Sequence, residues 1–158
     1  MNTVSPRWEW RSFGERFGEA EARLATLAPS GAQESDEIYL LSSGGANVKI
    51  RDALMDIKLL REVDANRLEQ WTPVMKAGFP LPAADLAKVL QSLGLLQPAP
   101  MPDGLAQDAF TARFAAPGGP VHAVKVHKRR VRYTVGGCMA ELSEVRAEGR
   151  ATRTLAVE

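Results

Sequence analysis

A chain of 158 residues and 17.2 kDa is long enough for one domain with a substantial core. Hydrophobic residues supply 45% and charged residues 25%, which excludes wholesale disorder, and 20 Lys and Arg against 19 Asp and Glu leave a net charge of +1, too small an excess for a generally basic nucleic-acid binder. The lone cysteine, Cys138, excludes an internal disulfide framework and a Cys-rich zinc site.

In chain order, Trp8, Trp10 and Ser12 alternate with Arg7, Glu9, Arg11 and Phe13, a period of two that predicts a strand. Gly14 to Leu27 places Phe17, Ala20, Leu24 and Leu27 at helical spacing, with a helix expected to end before Pro29. Ser30 to Ser35 reads as a loop. Glu37 to Ser42, Asn47 to Arg51 and Met55 to Arg61 read as three strands with short turns, hence antiparallel neighbours. Leu68 to Lys76 is a fourth, with Pro73 keeping it near an edge or a bulge.

Ala83 to Leu96 is the clearest helix, with Leu86, Val89, Leu90 and Leu93 as its apolar stripe. Gln97 to Gly104 reads as a linker and Ala109 to Ala115 as a short strand. Val121 to Tyr133 is a long basic strand, followed by strands over Cys138 to Arg146 and Thr152 to Glu158. The sum is eight or nine strands and two helices.

Charged and apolar residues alternate on these strands. Lys49 and Arg51 share one face of theirs, with Val48 and Ile50 on the other; Asp56 and Lys58 oppose Ile57 and Leu59. Lys128, Arg130 and Arg132 are in phase, as are Met139, Glu141 and Ser143. A sandwich with a solvated outer face is the common origin of such alternation, and a polar-lined barrel is the other. Cationic positions recurring on successive strands favour the barrel, and Glu9, Glu141 and Glu158 fall on the first strand and the last two. Facing one interior, these residues would suit a polyanion held with a divalent metal, since Arg forks onto phosphate and carboxylates bind Mg²⁺ or Mn²⁺.

At this point the chain resembles the CYTH domain, the fold of the triphosphate tunnel metalloenzymes, which include CyaB-type adenylate cyclases and thiamine triphosphatases. Arg7-Trp8-Glu9-Trp10-Arg11 stands where the family has Glu-x-Glu-x-Lys. Glu37-Ile38-Tyr39-Leu40 matches its tyrosine-bearing strand. Lys49-Ile50-Arg51 stands for Arg-x-Arg, and Asp56-Ile57-Lys58 for Thr-x-Lys. Leu93-Gly94 closes the central helix. Lys128-Arg129-Arg130 with Tyr133, then Leu142-Ser143-Glu144-Val145, follow in the family's order, and Glu158 matches one glutamate of its closing Glu-x-Glu.

The resemblance implies an α+β fold: an antiparallel eight-stranded β-barrel or tunnel with helices packed outside. It implies a single domain over residues 1–158, without the C-terminal helix usual in the family. It assigns Glu9 and Glu158 to metal binding and catalysis, with Glu141, one pleat from Ser143 and facing the same way, as the acid standing in there, and it assigns Arg11, Lys49, Arg51, Lys58, Lys128 and Arg130 to phosphate binding, joined by Arg132 in phase on the same strand. The implied cofactor is Mg²⁺ or Mn²⁺, and the implied partner a triphosphate, polyphosphate or nucleoside triphosphate anion.

The departures fall on the acids: Arg7, Ser143 and Ala156 stand where the family has carboxylates, and Arg11 replaces its lysine. The expected function is therefore binding of a triphosphate-type anion with weak or absent hydrolysis. The alternatives are an active metal-dependent triphosphatase, with adenylate cyclase activity as a minor branch, and a structural or protein-interaction barrel.

His122 and His127, five apart on one strand, are expected on opposite faces and so are poor joint metal ligands. Cys138 is expected to be at least half-buried, and Trp8, Trp10 and Trp71 to pack in the core or at the rim. Ser43-Gly44-Gly45 lacks the Gly-Lys-Ser/Thr of a phosphate loop. No apolar run approaches the roughly 18 residues of a membrane helix, and Met1 to Arg16 lacks a signal-peptide core. A cytoplasmic protein, with no membrane or specific nucleic-acid partner, is expected.

Overall fold

The structure is a computed structural model and describes residues 5–158. In chain order the elements are β1 (Arg7–Gly14), α1 (Gly18–Leu24), β2 (Gly31–Leu41), β3 (Asn47–Arg51), β4 (Leu54–Val63), β5 (Glu69–Gly78), α2 (Ala83–Ser92), α3 (Gln107–Phe114), β6 (His122–Val135), β7 (Cys138–Ala147) and β8 (Arg150–Val157). The strands form a closed antiparallel barrel in the order β1-β5-β4-β3-β2-β6-β7-β8. Closure pairs β1 with β5 on one side and with β8 on the other, so none of the eight strands presents an unpaired edge.

The period-two pattern becomes an inside and an outside. On β3, Val48 and Ile50 are buried facing outward while Asn47, Lys49 and Arg51 line the interior. Met55 and Ile57 on β4 do the same beside Lys58. The main hydrophobic core therefore lies outside the barrel wall. There Leu40, Val48, Ile50, Met55 and Ile57 pack against Leu86, Val89, Leu90 and Leu93 of α2 and its C-terminal turn, and Phe110 of α3. A smaller cluster, Leu24, Tyr133, Ala140 and Leu155, seats α1 on the opposite wall. With its apolar faces turned outward onto helices, the barrel keeps its polar faces for its lumen.

Two glycines set the fit of α2. Gly94, at φ +69°, lets the chain leave the helix, and the Leu95 N–H reaches back to the Leu90 carbonyl at 2.9 Å. This exit ends the helix at Ser92, short of the expected Leu96. Gly44, in the β2–β3 turn, abuts that end so closely that a Cβ would stand 2.2 Å from the Ser92 carbonyl oxygen. On β5 the expected irregularity at Pro73 is a bulge: Ile57 faces Met75 and Lys58 faces Pro73, leaving Val74 as the extra residue.

Several expectations need correction. Ala109 to Ala115 is not a strand but most of α3; Phe110 and Phe114, four apart, stack at 5.5 Å, as only a helix allows, among good helix formers. Among the described residues three helices thus stand outside the barrel instead of two. Residues 31–35 are not loop but the start of β2, because the 14-residue β6 supplies a partner from Arg132 back to Lys128. The first helix is shorter than expected, covering only Gly18–Leu24. Cys138 is exposed beside the Gly136-Gly137 turn. Trp8 and Trp10 lie on the outer wall, each more than a third exposed. No helix among the described residues is long and apolar enough to cross a membrane.

Candidate functional site

The barrel encloses a cavity of about 510 Å³, within the size range of small-ligand sites. Glu9, Arg11, Lys49, Arg51, Lys58, Lys128, Arg130, Arg132, Glu141 and Glu158, all singled out above, line it together. They come from five strands and from the residue just beyond β8, and their common direction follows from the barrel register: Arg11 pairs with Ala156, Ala156 with Glu141, and Glu141 with Arg132. Arg7 and Glu69 join them, so eight Lys and Arg side chains face four glutamates across the cavity.

Three ionic groups organise the wall. The first centres on Glu37 of β2, whose side chain is wholly buried. Its carboxylate faces Lys49 Nζ at 3.3 Å, Lys128 Nζ at 3.5 Å and Arg51 Nη1 at 3.6 Å, and accepts a hydrogen bond from Arg130. Ser35 Oγ donates to it at 3.1 Å and itself accepts from Arg130 Nη1 at 2.6 Å. Two residues along the strand, the Tyr39 hydroxyl accepts from Lys128. The Tyr39 ring also lies 4.6 Å from Lys128 Nζ and 5.7 Å from Lys49 Nζ, within cation–π range.

The second group centres on Glu141. Its carboxylate meets Arg132 at 3.5 Å, Arg130 at 3.7 Å and Arg11 at 3.9 Å, and accepts from Ser143 Oγ at 2.8 Å. The third lies where β1 meets β8. Arg11 Nε donates to Glu9 at 2.9 Å, Arg7 reaches Glu158 at 3.4 Å, and Arg11 Nη1 donates to Thr154 Oγ1 at 2.7 Å. Among the described residues no buried side-chain polar atom lacks a partner.

The charge states follow from these contacts. Burial alone would raise the Glu37 carboxyl, but Lys128, Lys49 and the Arg130 hydrogen bond outweigh it and hold the group well below the usual range. Burial pushes Lys128 down to about 8; Glu37 opposes this, while Lys49, Arg130 and Arg11 add to it by crowding like charge. Lys49 is lowered for the same reasons, burial first and then neighbouring Arg51, against Glu37. Burial and the Glu37 charge raise the Tyr39 phenol. Glu9 is depressed: burial opposes this, but Arg11, a hydrogen bond with Glu158, and Lys58 prevail.

The acids do not come together as one metal site. Among the described residues no group of three or more His, Cys, Asp or Glu side chains could hold a metal ion. Glu9 and Glu158 lie side by side, but Glu141 is engaged by three guanidinium groups. The donor set therefore does not fit Mg²⁺ or Mn²⁺ held by protein ligands alone.

Glu37 was missed as a site residue, although its two-residue spacing from Tyr39 already put both on one face. Trp71 also lines the cavity, with its indole N–H donating to Glu69 at 2.9 Å. His122 and His127 stay outside the site, each in an exposed pair, with Glu148 and Asp36 respectively.

The fold and the lumen together define a closed eight-stranded antiparallel barrel with a cation-rich interior. No protein-family model matches this sequence, and no curated protein matches it. The fold is similar to a solved structure from Bacillus halodurans, a protein provisionally designated an adenylate cyclase. The two share 12% identity over 97% of this chain and 81% of that chain, with a TM-score of 0.50. At that identity the likeness is one of fold.

Proposed function

We propose that this protein is a CYTH-type barrel that binds a triphosphate- or polyphosphate-type anion in its lumen, with weak or absent hydrolysis. One observation carries the reading: eight Lys and Arg side chains converge on one cavity against four glutamates. Crowded, part-desolvated cations are poorly solvated, and a chain of phosphates replaces the missing water with several negative charges. Guanidinium forks at Arg51 and Arg132 suit bidentate contact with phosphate oxygens, Lys49, Lys58 and Lys128 act as point charges, and Arg11 and Arg130, whose nitrogens already face protein partners, add positive potential. The fold likeness to a protein designated a cyclase and the order of the sequence motifs support the same ligand class.

The carboxylates argue for binding over turnover. Glu141, a candidate catalytic and metal residue, is held by arginines, and Ala156 and Ser143 offer no further charge. The adjacency of Glu9 and Glu158 favours the alternative, a metal-dependent phosphohydrolase, because two carboxylates can share a divalent ion with a ligand's own oxygens.

The experiment is a melting-temperature series with tripolyphosphate, with and without Mn²⁺, read together with phosphate release. At about 100-fold excess over Kd, binding adds on the order of 2.7 kcal/mol. A rise in Tm without release, lost in Lys58→Ala, is the expected result. Release that requires Mn²⁺ and disappears in Glu9→Ala establishes the hydrolase. No shift in any condition overturns both and leaves a structural or protein-interaction barrel.

A further inference from the structure

Among the described residues Glu37 is the one wholly buried carboxylate of the barrel interior, and it does not itself line the cavity that the phosphate-binding candidates share. Four cations from two strands close on it: Lys49 and Arg51 from β3, Lys128 and Arg130 from β6. Its own strand adds Ser35, which donates to it, and Tyr39, whose hydroxyl accepts from Lys128 and whose phenol is raised by burial and by Glu37. Beyond this ring, Asp56 of β4 acts on Lys49, and Arg11 of β1 acts on Lys128.

We propose that Glu37 is a resident counter-ion that positions this cationic cluster and keeps its two lysines charged for anion binding. The inference deepens the proposed function and rests on it. A carboxylate with no exposed side-chain surface cannot be reached or displaced by a ligand in the lumen. Lys49, Arg51 and Lys128 each keep part of the side chain exposed along the cavity they line, whereas Arg130 is buried between Ser35, Glu37 and Glu141. Without it, Lys49 and Lys128 would stand beside Arg51, Arg130 and Arg11, with Asp56 acting on Lys49 and Glu141 engaged by Arg130 and Arg11 as the remaining negative charges. The cheapest relief for such a cluster is loss of a proton from a lysine, since guanidinium does not give one up. Glu37 therefore acts through other residues: it sets how many charges the cluster presents, and the phosphate chain binds those charges.

The test compares the full chain with Glu37→Gln and Glu37→Asp. Lysine titrations are followed by NMR in protein without ligand, with Lys128→Arg to assign the signal. Tripolyphosphate affinity is measured by calorimetry at pH 6 and pH 8.5. In Glu37→Gln the Lys128 midpoint is expected to fall by at least one pH unit. Affinity is expected to drop tenfold or more at pH 8.5 and by less than threefold at pH 6, where the lysines are recharged. Glu37→Asp, which keeps the charge, is expected to restore most of the loss, and it carries the test if the amide variant does not fold. An equal loss at both pH values would make Glu37 a scaffold residue and overturn the proposal, as would an unmoved Lys128 midpoint. Absence of tripolyphosphate binding by the parent protein at either pH would overturn the proposed function, while the ligand-free titration still decides whether Glu37 charges the lysines.

Discussion

Arg11 on β1 and Glu141 on β7 approach to 3.9 Å across the intervening strand β8, directly over Ala156, which pairs with both. The methyl group leaves room for the two charges to meet. A carboxylate there would compete for Arg11 and lie diagonally beside Glu9, since the register that pairs Trp10 with Val157 brings Glu9 to Glu158. Ala156→Glu is expected to weaken tripolyphosphate binding about tenfold, equivalent to about 1.4 kcal/mol. It is also expected to create a Mn²⁺-dependent rise in Tm that the parent protein lacks. Calorimetry and thermal melts check the two effects.

Acid should unfold the protein through Glu37. Its folded-state pKa lies below the ordinary 4.5. Its contribution to stability is complete above about pH 4.5, because the unfolded chain must be ionised for the comparison to be even, and is lost as pH falls below that value. Removing one partner from a buried ion pair costs about 3–5 kcal/mol. Glu37→Gln should lose stability of that order at pH 7, with a flatter dependence between pH 5 and pH 3. Urea unfolding across that pH range provides the measurement.

Alkali should act through Lys128 with the opposite sign. Its folded pKa, about 8, lies below the ordinary 10.5. Below about pH 8 both states carry the charge, and the folded protein bears it at a disadvantage. Between about 8 and 10.5 the folded protein has shed a proton that the unfolded chain keeps, so this group makes stability rise with pH. Anion affinity should run the other way, falling by up to about tenfold per pH unit above about 8 as the charge that binds the ligand is lost. Lys128→Arg should abolish this step. Calorimetric titrations from pH 7 to pH 10 would show it.

The scaffold should be separable from the site. Phe110 is fully buried between helix and barrel wall, away from the lumen. Phe110→Ala is expected to cost about 3–5 kcal/mol, and Gly44→Ala about 1–3 kcal/mol, because the new Cβ must displace backbone. Neither should change tripolyphosphate affinity more than about twofold, roughly 0.4 kcal/mol, in protein kept below its Tm. A larger change in affinity would show that the wall cannot hold the lumen's geometry without its outer core.

Much of the barrel could be read from local pattern. Asn47–Arg51 coincides with β3 because five alternating residues between two turns leave no competing reading. The start of β2 and the whole of α3 could not be read so. Residues 31–35 are polar and become a strand only because β6 offers a complementary edge, with Glu34 opposite Arg129. In α3 the apolar residues fit both periods over so short a run, and packing of Phe110 against Phe79 at 6.0 Å decides for the helix. Glu37 was overlooked for a similar reason: its strand was legible, but nothing local reveals four cations arriving from β3 and β6.

The order of residues along each strand is enough to determine which side chains share a face, because successive side chains in an extended chain point to opposite sides. Lys49 with Arg51, and Lys128 with Arg130 and Arg132, were grouped on that ground alone. Which face becomes the inside is a tertiary matter. It was decided when α2 and α3 covered the apolar faces from without and β1 closed onto both β5 and β8. Closure also brought Arg7 to Glu158, 151 residues apart, and set Glu141 among arginines and not beside Glu9. Such encounters depend on the register of a closed sheet, where the position of every strand is fixed by all the others.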